Sequence, residues 1–552
     1  MSSFDYVIVG AGSAGCVLAN RLSADPGTRV LLIEAGGRDD NPMVHMPKGI
    51  AKVMTNPNSI WPFMTRPERA SNGAAECWAR GRLLGGSSAI NGMMYVRGQA
   101  ADYDALAALT SDDWGWSRIG AAYKQMEQHE LGAAATRGDT GPLHVSMPTD
   151  RPALMEAAIA AGVALGLRKQ QDVNDPEDSE RIGYAPRTIH RGRRESAAAA
   201  FLRPARSRAN LTVVTGVTVD KVVFNGVRAV GVRGTKDGAE VHYRADREVL
   251  LSAGALSTPA ILQRSGIGPA DHLRGLGIEV RADLPEVGSN MREHRGLVMQ
   301  WRVKDALSQN REFRGARLLA NTARYYLTHD GPMSNAVYEI GAWFKSRPGL
   351  DRPDGQLLIA PFSYDYTSAS FGVEPVGGMN FVVYMLRPDS SGTVRIASAN
   401  PAELPTITPN FSALESDRRT TADVVRFARR LVAQSPLASM VLEETRPGVR
   451  FSTDEELEEA HRQFGYCSYH ACGTSRMGKD DAAVVDPRLR VRGTEGLRVV
   501  DTSIFPFMLA GNTNAPAMVT AWRAADLILE DGAGQAARQT VPTRAAQPAR
   551  AI

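Results

Sequence analysis

A chain of 552 residues and 59.5 kDa is too long for one small module, and its 43% hydrophobic and 22% charged residues match an ordinary globular composition. That composition excludes a disordered, fibrous or disulfide-framework protein. The 64 Lys and Arg against 60 Asp and Glu give a net charge of +4, and three of the positive charges, Arg538, Arg544 and Arg550, lie in the final segment. The rest of the chain is nearly neutral, which gives no support to a nucleic-acid partner.

The cysteines and the apolar runs restrict the class of protein further. Cys16, Cys77, Cys467 and Cys472 are too few and too scattered for a disulfide framework, and the last two lack the partners that a zinc site requires, so no metal is expected. No run of 18 apolar residues predicts a transmembrane helix. A strand-like run at 6–9 leaves no room for a signal peptide. We expect the protein to be located in the cytoplasm, and peripheral contact with the inner membrane is an alternative.

The first elements of the chain predict a βαβ unit. An apolar run at 5–9 is ended by glycine and predicts a buried parallel strand, the pattern at 13–23 predicts a helix, and 29–33 predicts a second strand. Such a start requires a parallel sheet with helices packed on its faces. Short β-branched runs within 211–253 predict a meander that returns to a last buried strand at 248–253.

Residues 306–462 have a more mixed pattern and are predicted to form a second domain. Strands are expected near 356–361, 379–386 and 393–397, and helices near 419–435 and 454–463. The segment 533–552 is rich in Ala, Arg, Gln, Pro and Thr without periodicity, and we expect it to be a disordered tail.

A glycine motif follows the first strand and opens the first helix. Gly10 allows a tight turn, Gly12 lets the backbone approach a pyrophosphate, and Gly15 lets helix and strand pack closely. The free N–H groups at the helix start would hold the anion. Glu34 ends the next strand, where a carboxylate can bond ribose hydroxyls and disfavours a 2′-phosphate. The motif predicts a dinucleotide site and by itself does not separate NAD from FAD.

Two further stretches, 81–92 and 254–268, are rich in glycine and small residues, and three shorter stretches accompany them at 283–290, 501–506 and 511–516. With these the sequence resembles the glucose–methanol–choline (GMC) family of FAD-dependent oxidoreductases, and the resemblance runs from about residue 4 to 531. Within this family, the sequence is most similar to choline dehydrogenases and bacterial aliphatic alcohol dehydrogenases. Of the five stretches that carry this resemblance, 81–92 and 254–268 are the longest.

The resemblance implies an α/β fold of two parts. A Rossmann-like FAD-binding domain, with a parallel sheet and a β-meander, would be discontinuous in the chain, and a substrate-binding α+β domain would be built on an antiparallel sheet. The domain limits expected are 1–305 for the first part of the FAD-binding domain, 306–462 for the substrate-binding domain, 463–532 for the return to the FAD-binding domain with the catalytic pair, and 533–552 for the tail.

The resemblance also implies the cofactor contacts. Val219 would contact the adenine, Asn91 to Met94 would run beside the isoalloxazine, and Asp501 would lie near the ribityl and pyrophosphate. Some relatives attach FAD through a histidine whose position is Ile90 here, so FAD is expected to be held without a covalent bond. The residues expected at the cofactor are Gly10, Gly12, Ser13, Ala14, Gly15, Glu34, Ala35, Gly85, Gly86, Ser87, Asn91, Gly92, Met93, Met94, Val219 and Asp501.

His470 is the histidine that the resemblance implies as the catalytic base. Imidazole has the ordinary pKa best suited to taking the hydroxyl proton of an alcohol near neutrality, while the hydride passes to flavin N5. Ala471 and Cys472 depart from the family's usual His-Pro-Val string and put the shape of this loop in doubt. Asn512, 42 residues later, matches the position where relatives carry His or Asn, and would hold the alcohol oxygen; a plain turn residue is the alternative.

Further residues near the motifs have two interpretations each. Asn514, with Pro516 beyond it, is typical of a helix cap, and the helix predicted at 517–530 would point its positive end at the flavin. Trp61 and Tyr469 match aromatic pocket positions in relatives and could equally be core residues.

The predicted function is FAD-dependent oxidation of a primary alcohol to the aldehyde, with a quinone or another acceptor taking the electrons. The alternatives are an oxidase that makes hydrogen peroxide with oxygen, a flavin-containing hydroxynitrile lyase, and a flavoprotein without enzymatic activity. The sequence does not identify the alcohol or the oligomeric state. Glu339 could face a cationic substrate such as choline, although a paired or solvent-facing glutamate is the commoner case.

Overall fold

Two large sheets organise the computed structural model, which describes residues 3–174, 176–366 and 372–540. The predicted α/β fold is confirmed: one sheet has a parallel core, and the other is almost entirely antiparallel.

The first sheet starts at Ser3–Val9, where the sequence predicted a strand. Val7 lies opposite Leu31 on one side and Val249 on the other, both in parallel register. All three side chains are fully buried, because helices cover both faces of the sheet. The strands of this sheet are Ser3–Val9, Val30–Ile33, Leu211–Val214, Val217–Asn225, Arg228–Lys236, Ala239–Leu251 and Leu497–Val499.

The meander differs from its prediction in one respect. The last strand is not a separate element at 248–253, because one strand runs over Ala239–Leu251. Its first half alternates and pairs antiparallel with Arg228–Lys236, whereas its last three residues are fully buried and pair parallel with Ser3–Val9. A single strand therefore belongs to both the meander and the parallel core.

The first helix, Ser13–Leu22, packs against the last one, Asn514–Thr540, under the first sheet. The last helix continues beyond 530, so the predicted disorder of the tail is wrong for 533–540, while 541–552 lies outside the described residues. An amphipathic Ala-rich stretch without proline before 542 extends the helix. The helices of eight or more residues are Ser13–Leu22, Ala100–Leu109, Trp116–Met126, Ala153–Ala164, Gly254–Arg264, Gly315–Thr328, Glu415–Val432, Asp454–Phe464 and Asn514–Thr540.

The second sheet packs its buried face against Glu415–Val432 and Ala153–Ala164. Phe344 stacks on Phe427 of the first of these helices, with ring centroids 3.7 Å apart. Several strands lie outside 306–462, so the sheet is not confined to the range expected for the second domain. Its strands are Arg168–Lys169, Arg181–Tyr184, Arg295–Val303, Ile340–Phe344, Gly355–Ala360, Gly378–Met385, Val441–Arg446 and Gly465–Cys467.

Small elements fill the space around the two sheets. The hairpin of Ile60–Met64 and Cys77–Gly81 lies beside the site described below. The remaining short strands are Glu127–His129, Leu143–Val145, Ile189–His190, Arg193–Arg194, Ile267–Gly268, Ala282–Asp283, Tyr364–Asp365, Gly372–Val373, Thr393–Arg395 and Thr406–Thr408, and the short helices are Pro42–His45, Ile50–Met54, Ala198–Leu202, Arg203–Ala205 and Ala270–Gly275.

Within 3–174, 176–366 and 372–540, no helix combines the length and the apolar character that crossing a bilayer requires. Over the same ranges no group of three or more His, Cys, Asp or Glu side chains is placed to hold a metal ion, and the four cysteines are free thiols.

Candidate active site

A cavity of about 1150 Å³ lies between the two sheets. Its wall includes Val9 and Val219 from the first sheet and Val298 and Val382 from the second. Except for two glycines, every site residue predicted from the sequence lines it: Gly10, Gly12, Ser13, Ala14, Glu34, Ala35, Trp61, Gly86, Ser87, Asn91, Gly92, Met93, Met94, Val219, Tyr469, His470, Asp501 and Asn512.

The two exceptions support the wall from behind. A Cβ on Gly15 would lie 1.8 Å from the carbonyl oxygen of Gly10, so only glycine lets the first helix pack on the turn. Gly85 has a positive φ of 92°, and its backbone N–H donates to the carbonyl of Ala11 at 2.8 Å. Both residues therefore shape the cavity without facing it.

The glycine turn provides a cradle for a large ligand. A Cβ on Gly10 would meet the carbonyl oxygen of Ser252 at 2.5 Å, and one on Gly86 would meet the Cα of Gly12 at 2.7 Å. A Cβ on Gly12 would instead point into open space, with nothing closer than Gly86 at 4.0 Å. The buried hydroxyl of Ser252, which also lines the cavity, has no hydrogen-bond partner in the described part of the protein. These features fit a bound dinucleotide whose phosphates need close backbone donors.

Three helices begin at the cavity wall, at Ser13, Gly254 and Asn514. The Ser13 hydroxyl donates to the side-chain carbonyl of Asn514 at 2.7 Å and ties two of these N-termini together. Asn514, predicted as a helix cap, is the first residue of its helix, and this bond occupies its carbonyl oxygen. The free N–H groups and positive dipole ends of the three helices favour a polyanionic ligand between them.

Two buried carboxylates lie at the dinucleotide end. Glu34 accepts the backbone N–H groups of Ala11 at 3.0 Å and Gly36 at 2.8 Å, one on each oxygen, and each oxygen keeps a further lone pair. Burial raises the pKa of Glu34 to about 7. Asp501 accepts from the N–H of Gly254 at 2.9 Å and from the Thr258 hydroxyl at 2.6 Å, so it holds the start of that helix.

The segment that was expected beside an isoalloxazine ring is held in a strained conformation. Met93 is buried with a φ of +64°, a region that non-glycine side chains rarely adopt. The side-chain carbonyl of Asn91 accepts the Met93 N–H at 3.0 Å, and the buried guanidinium of Arg194 donates to the backbone and side-chain carbonyls of Asn91 at 2.6 and 2.8 Å. Ile90 faces the cavity and carries no nucleophile.

His470 and Asn512 meet at the other end of the cavity. The amide nitrogen of Asn512 lies 3.0 Å from Nε2 of His470, although 42 residues separate them in the chain. Tyr469, just before the histidine, has a φ of +64°, which is strained for a bulky residue. Gln356 donates to the Asn512 side-chain carbonyl at 3.4 Å.

The surroundings of His470 keep its ring neutral. Burial, and then the neighbouring His294 and Arg80, hold the pKa of His470 well below its ordinary value of 6.5. Nδ1 lies 2.9 Å from Nδ1 of His294, and the backbone N–H donates to the Glu293 carboxylate at 2.7 Å. Burial raises the pKa of Glu293 to about 7 despite the ion pair with Arg80 at 3.2 Å. A neutral imidazole facing a cavity is able to accept a proton.

Aromatic and aliphatic side chains surround this end of the cavity. The guanidinium of Arg82 lies 4.5 Å above the ring of Trp61, which is half-buried, and Tyr469 is 37% exposed. Both side chains line the cavity, and Trp61 also packs against a neighbouring hydrophobic cluster that contains Phe63 and Trp78. The aromatic lining consists of Trp61, Phe63, Tyr338, Tyr364, Tyr366, Tyr384, Phe464, Tyr466 and Tyr469.

Two residues that the sequence singled out lie elsewhere. Glu339 is 2% exposed and is not part of the cavity wall; burial raises its pKa, and the cations Lys48 and Arg187 oppose that rise. Its Oε2 has no hydrogen-bond partner in the described residues, and its carboxylate does not face a substrate in this cavity. Cys472 is fully buried behind the wall, with its sulfur 3.8 Å from that of Met508.

The sequence interpretation missed the side chains that support the base. Glu293 and His294 lie three and four residues after the end of the 283–290 stretch that carries the family resemblance, and this position was their only available signal. Gln356 and Arg194 lie in unremarkable sequence and are recognised only from their contacts.

Comparisons with known proteins agree with the geometry. Two family models, both described as GMC oxidoreductase, match residues 4–295 and 388–521. The chain is 37% identical over 532 residues to an alcohol dehydrogenase [acceptor] of Pseudomonas putida, covering 95% of this chain and 96% of that one. It is also 37% identical to the mitochondrial choline dehydrogenase of Homo sapiens, covering 95% and 89% of the two chains.

Solved structures share the fold over nearly the whole chain. A pyridoxine 4-oxidase from Mesorbium loti superposes with a TM-score of 0.86 at 30% identity, covering 96% of this chain and 99% of that one. A formate oxidase superposes with a TM-score of 0.89 at 26% identity, covering 97% and 99%.

Proposed function

The chain belongs to the GMC oxidoreductase family, and we propose that it oxidises a primary alcohol to the aldehyde with FAD as its cofactor. The observation that carries the proposal is the continuity of the cavity. Its wall includes the glycine cradle, the helix N-termini and Glu34, and also the neutral imidazole of His470 bonded to Asn512. A dinucleotide and a small alcohol would thus share one enclosed space.

Bound FAD would supply the acceptor for the hydride that leaves the carbinol carbon. The chain's own residues would hold it as the resemblance implies: N–H groups around Gly12 for the pyrophosphate, Glu34 for the ribose hydroxyls and Val219 for the adenine. The open space in front of Gly12 and the spare lone pairs of Glu34 support these roles. Since Ile90 has no nucleophile, the attachment would be non-covalent.

His470 would take the hydroxyl proton at Nε2, which makes loss of a hydride from the same carbon easier. When an alcohol enters, the amide hydrogen of Asn512 that is directed at Nε2 would turn to the alcohol oxygen, which frees the Nε2 lone pair to take the hydroxyl proton. An oxygen lying beside both groups would be held and deprotonated at once.

The lining of the catalytic end favours an alcohol with an apolar or aromatic body. Side chains such as Trp61, Tyr338 and Tyr466 bury apolar surface and offer ring faces to a substrate. Glu339 would not contact a cationic substrate in this cavity, because its buried carboxylate lies outside the cavity wall.

For the electron acceptor we propose a quinone or another non-oxygen acceptor. The likeness to the Pseudomonas putida alcohol dehydrogenase [acceptor] supports this choice, while the likeness to pyridoxine 4-oxidase supports the oxidase alternative. Enzyme reduced by substrate would be re-oxidised in air-saturated buffer and, separately, by a quinone. Stoichiometric hydrogen peroxide at the turnover rate would establish the oxidase.

The test of the function is anaerobic flavin reduction by a series of primary alcohols. His470→Ala is expected to retain its flavin and to lose on the order of 10²–10⁴-fold in the reduction rate, the span of a positioned base. His461→Ala is a matched control, since His461 is 4% exposed and lies outside the cavity wall. A decrease of less than tenfold in the rate of flavin reduction in His470→Ala would contradict the assignment of His470 as the base. Absence of bleaching by every alcohol tried would favour the lyase.

A further inference from the structure

A neutral imidazole has two tautomers, and only one of them serves the reaction. To take a proton from a hydroxyl in the cavity, His470 must carry its hydrogen on Nδ1 and its lone pair on Nε2. The opposite tautomer would present an N–H to the substrate and could accept nothing there. The proportion of the two forms therefore decides how much of the enzyme is ready to react.

The starting point is His294, which is fully buried. Its Nε2 lies 2.8 Å from the backbone carbonyl oxygen of Leu386. A carbonyl oxygen only accepts, so the hydrogen of this ring is on Nε2. Burial lowers the pKa of His294 to about 4, so the ring is neutral near pH 7 and Nδ1 carries a lone pair.

That lone pair determines the state of the next ring. Nδ1 of His294 lies 2.9 Å from Nδ1 of His470, and the two rings meet edge to face with centroids 5.2 Å apart. A contact this short between two nitrogens needs one hydrogen between them. Because His294 has none to give at this atom, His470 donates from Nδ1, and its lone pair is left on Nε2.

The contacts on the cavity side agree with this assignment. Gln356 donates to the carbonyl oxygen of Asn512, which orients the amide so that its nitrogen faces His470. That nitrogen only donates, and it lies 3.0 Å from Nε2, which must therefore accept. The chain of bonds from Leu386 and the chain from Gln356 favour the same tautomer, but the 3.4 Å bond of Gln356 holds the Asn512 amide less firmly than the 2.8 Å bond of Leu386 holds the buried His294 ring, so the tautomer depends mainly on His294.

We propose that His294 is a positioning residue that sets the tautomer of His470 through this relay and makes Nε2 the base. The activity part of this inference rests on the proposed function. Once Nε2 has taken a proton, the Nδ1–H bond to the lone pair of His294 continues and stabilises the imidazolium that forms. Glu293 acts differently, because it accepts the backbone N–H of His470 and fixes the loop, not the ring.

The direct test is the protonation pattern of the ring nitrogens in the flavin-loaded enzyme. Histidine labelled with ¹⁵N reports, for each of the ten rings, which nitrogen carries hydrogen; the His470 signals are those lost in His470→Asn. We expect hydrogen on Nδ1 of His470 in the wild type, and a mixture of both tautomers in His294→Leu. A wild-type ring with hydrogen on Nε2, or an unchanged pattern in His294→Leu, would overturn the proposal.

His294→Gln is the conservative variant, because a glutamine amide can donate to Leu386 and accept from His470 with its two different atoms. It should keep the wild-type pattern and remain informative if His294→Leu does not fold. His461→Gln is the matched control: it is a buried histidine whose ring nitrogens have no partner in the described residues.

Kinetics provide the second measurement. The limiting rate of flavin reduction should fall by about 10- to 100-fold in His294→Leu, less than complete loss of a base costs, with the half-saturating alcohol concentration changed by less than about threefold. His294→Gln should stay within about fivefold of wild type. If the pattern shifts as expected and the rate does not, His294 sets the tautomer without serving catalysis, which overturns the proposal. If no alcohol reduces the flavin in any variant, the proposed function fails, and the nitrogen pattern still decides the tautomer.

Discussion

Gly86→Ala tests the close contact of the two loops that form the cofactor cradle. Gly86 has a φ of +52°, and an alanine Cβ there would lie 2.7 Å from the Cα of Gly12. The left-handed conformation costs about 1–2 kcal/mol, and relieving an overpacked contact costs about 1–3 kcal/mol more. Because the contact is backbone, relief requires the loops to move apart where the dinucleotide would bind.

The backbone cost lowers stability whether or not the cofactor is bound, so the part that should appear in cofactor binding is the contact cost of about 1–3 kcal/mol. At about 1.4 kcal/mol per factor of ten, it corresponds to roughly 5- to 150-fold weaker FAD affinity. The ratio of flavin absorbance to protein absorbance after purification gives the first readout, and titration of the stripped protein with FAD gives the affinity.

Gly73→Ala separates backbone strain from the contact. Gly73 also has a positive φ, of 75°, but its added Cβ would meet nothing within 4 Å, and it lies outside the cavity wall. It should lose stability without losing flavin. The reasoning is refuted if Gly86→Ala purifies with full flavin content and titrates within about threefold of wild type.

Three further predictions follow from the site and the core. Acid precipitation should leave the yellow colour in the supernatant, because Ile90 offers no atom for a covalent bond; colour retained in the washed pellet contradicts this. The rate of flavin reduction in stopped flow should stay level above pH 6.5 and fall only at lower pH, because the lowered pKa of His470 keeps its ring neutral. A pH–rate profile whose midpoint lies above pH 6.5 would contradict this prediction. Arg498→Met should lower the free energy of unfolding in urea by about 1–3 kcal/mol, since it removes the hydrogen bonds of a buried guanidinium to the partly exposed Glu248, while Asp531 keeps Arg488; an unchanged midpoint would show that the ion pairs contribute nothing.

Much of the cofactor end was predictable from the sequence, for a local reason. The turn at Gly10 and the helix start at Ser13 are set by a few consecutive residues, because strand, glycine turn and helix constrain one another within one motif. Glycines that accept a positive φ or a close backbone approach are recognisable without knowing the partner. The parallel core and the position of the first helix were predictable on the same grounds.

The catalytic end depends on contacts between distant parts of the chain. The sequence indicated His470 and Asn512 singly, through a resemblance, but their 3.0 Å contact depends on the packing of the segments at 471–475 and 502–503, which bond to each other. His294 is 176 residues from His470 in the chain, and no local pattern marks it as that residue's partner.

The sequence by itself therefore determined the fold class, the family resemblance and the dinucleotide motif, and it indicated His470 as the candidate base. Only the tertiary structure decided that Glu339 lies outside the cavity, that the last helix continues to Thr540, and that the rings of His294 and His470 lie in contact. The physical reason is that backbone conformation responds mainly to neighbouring residues, whereas burial and side-chain hydrogen bonds depend on which distant segments the packed sheets bring together.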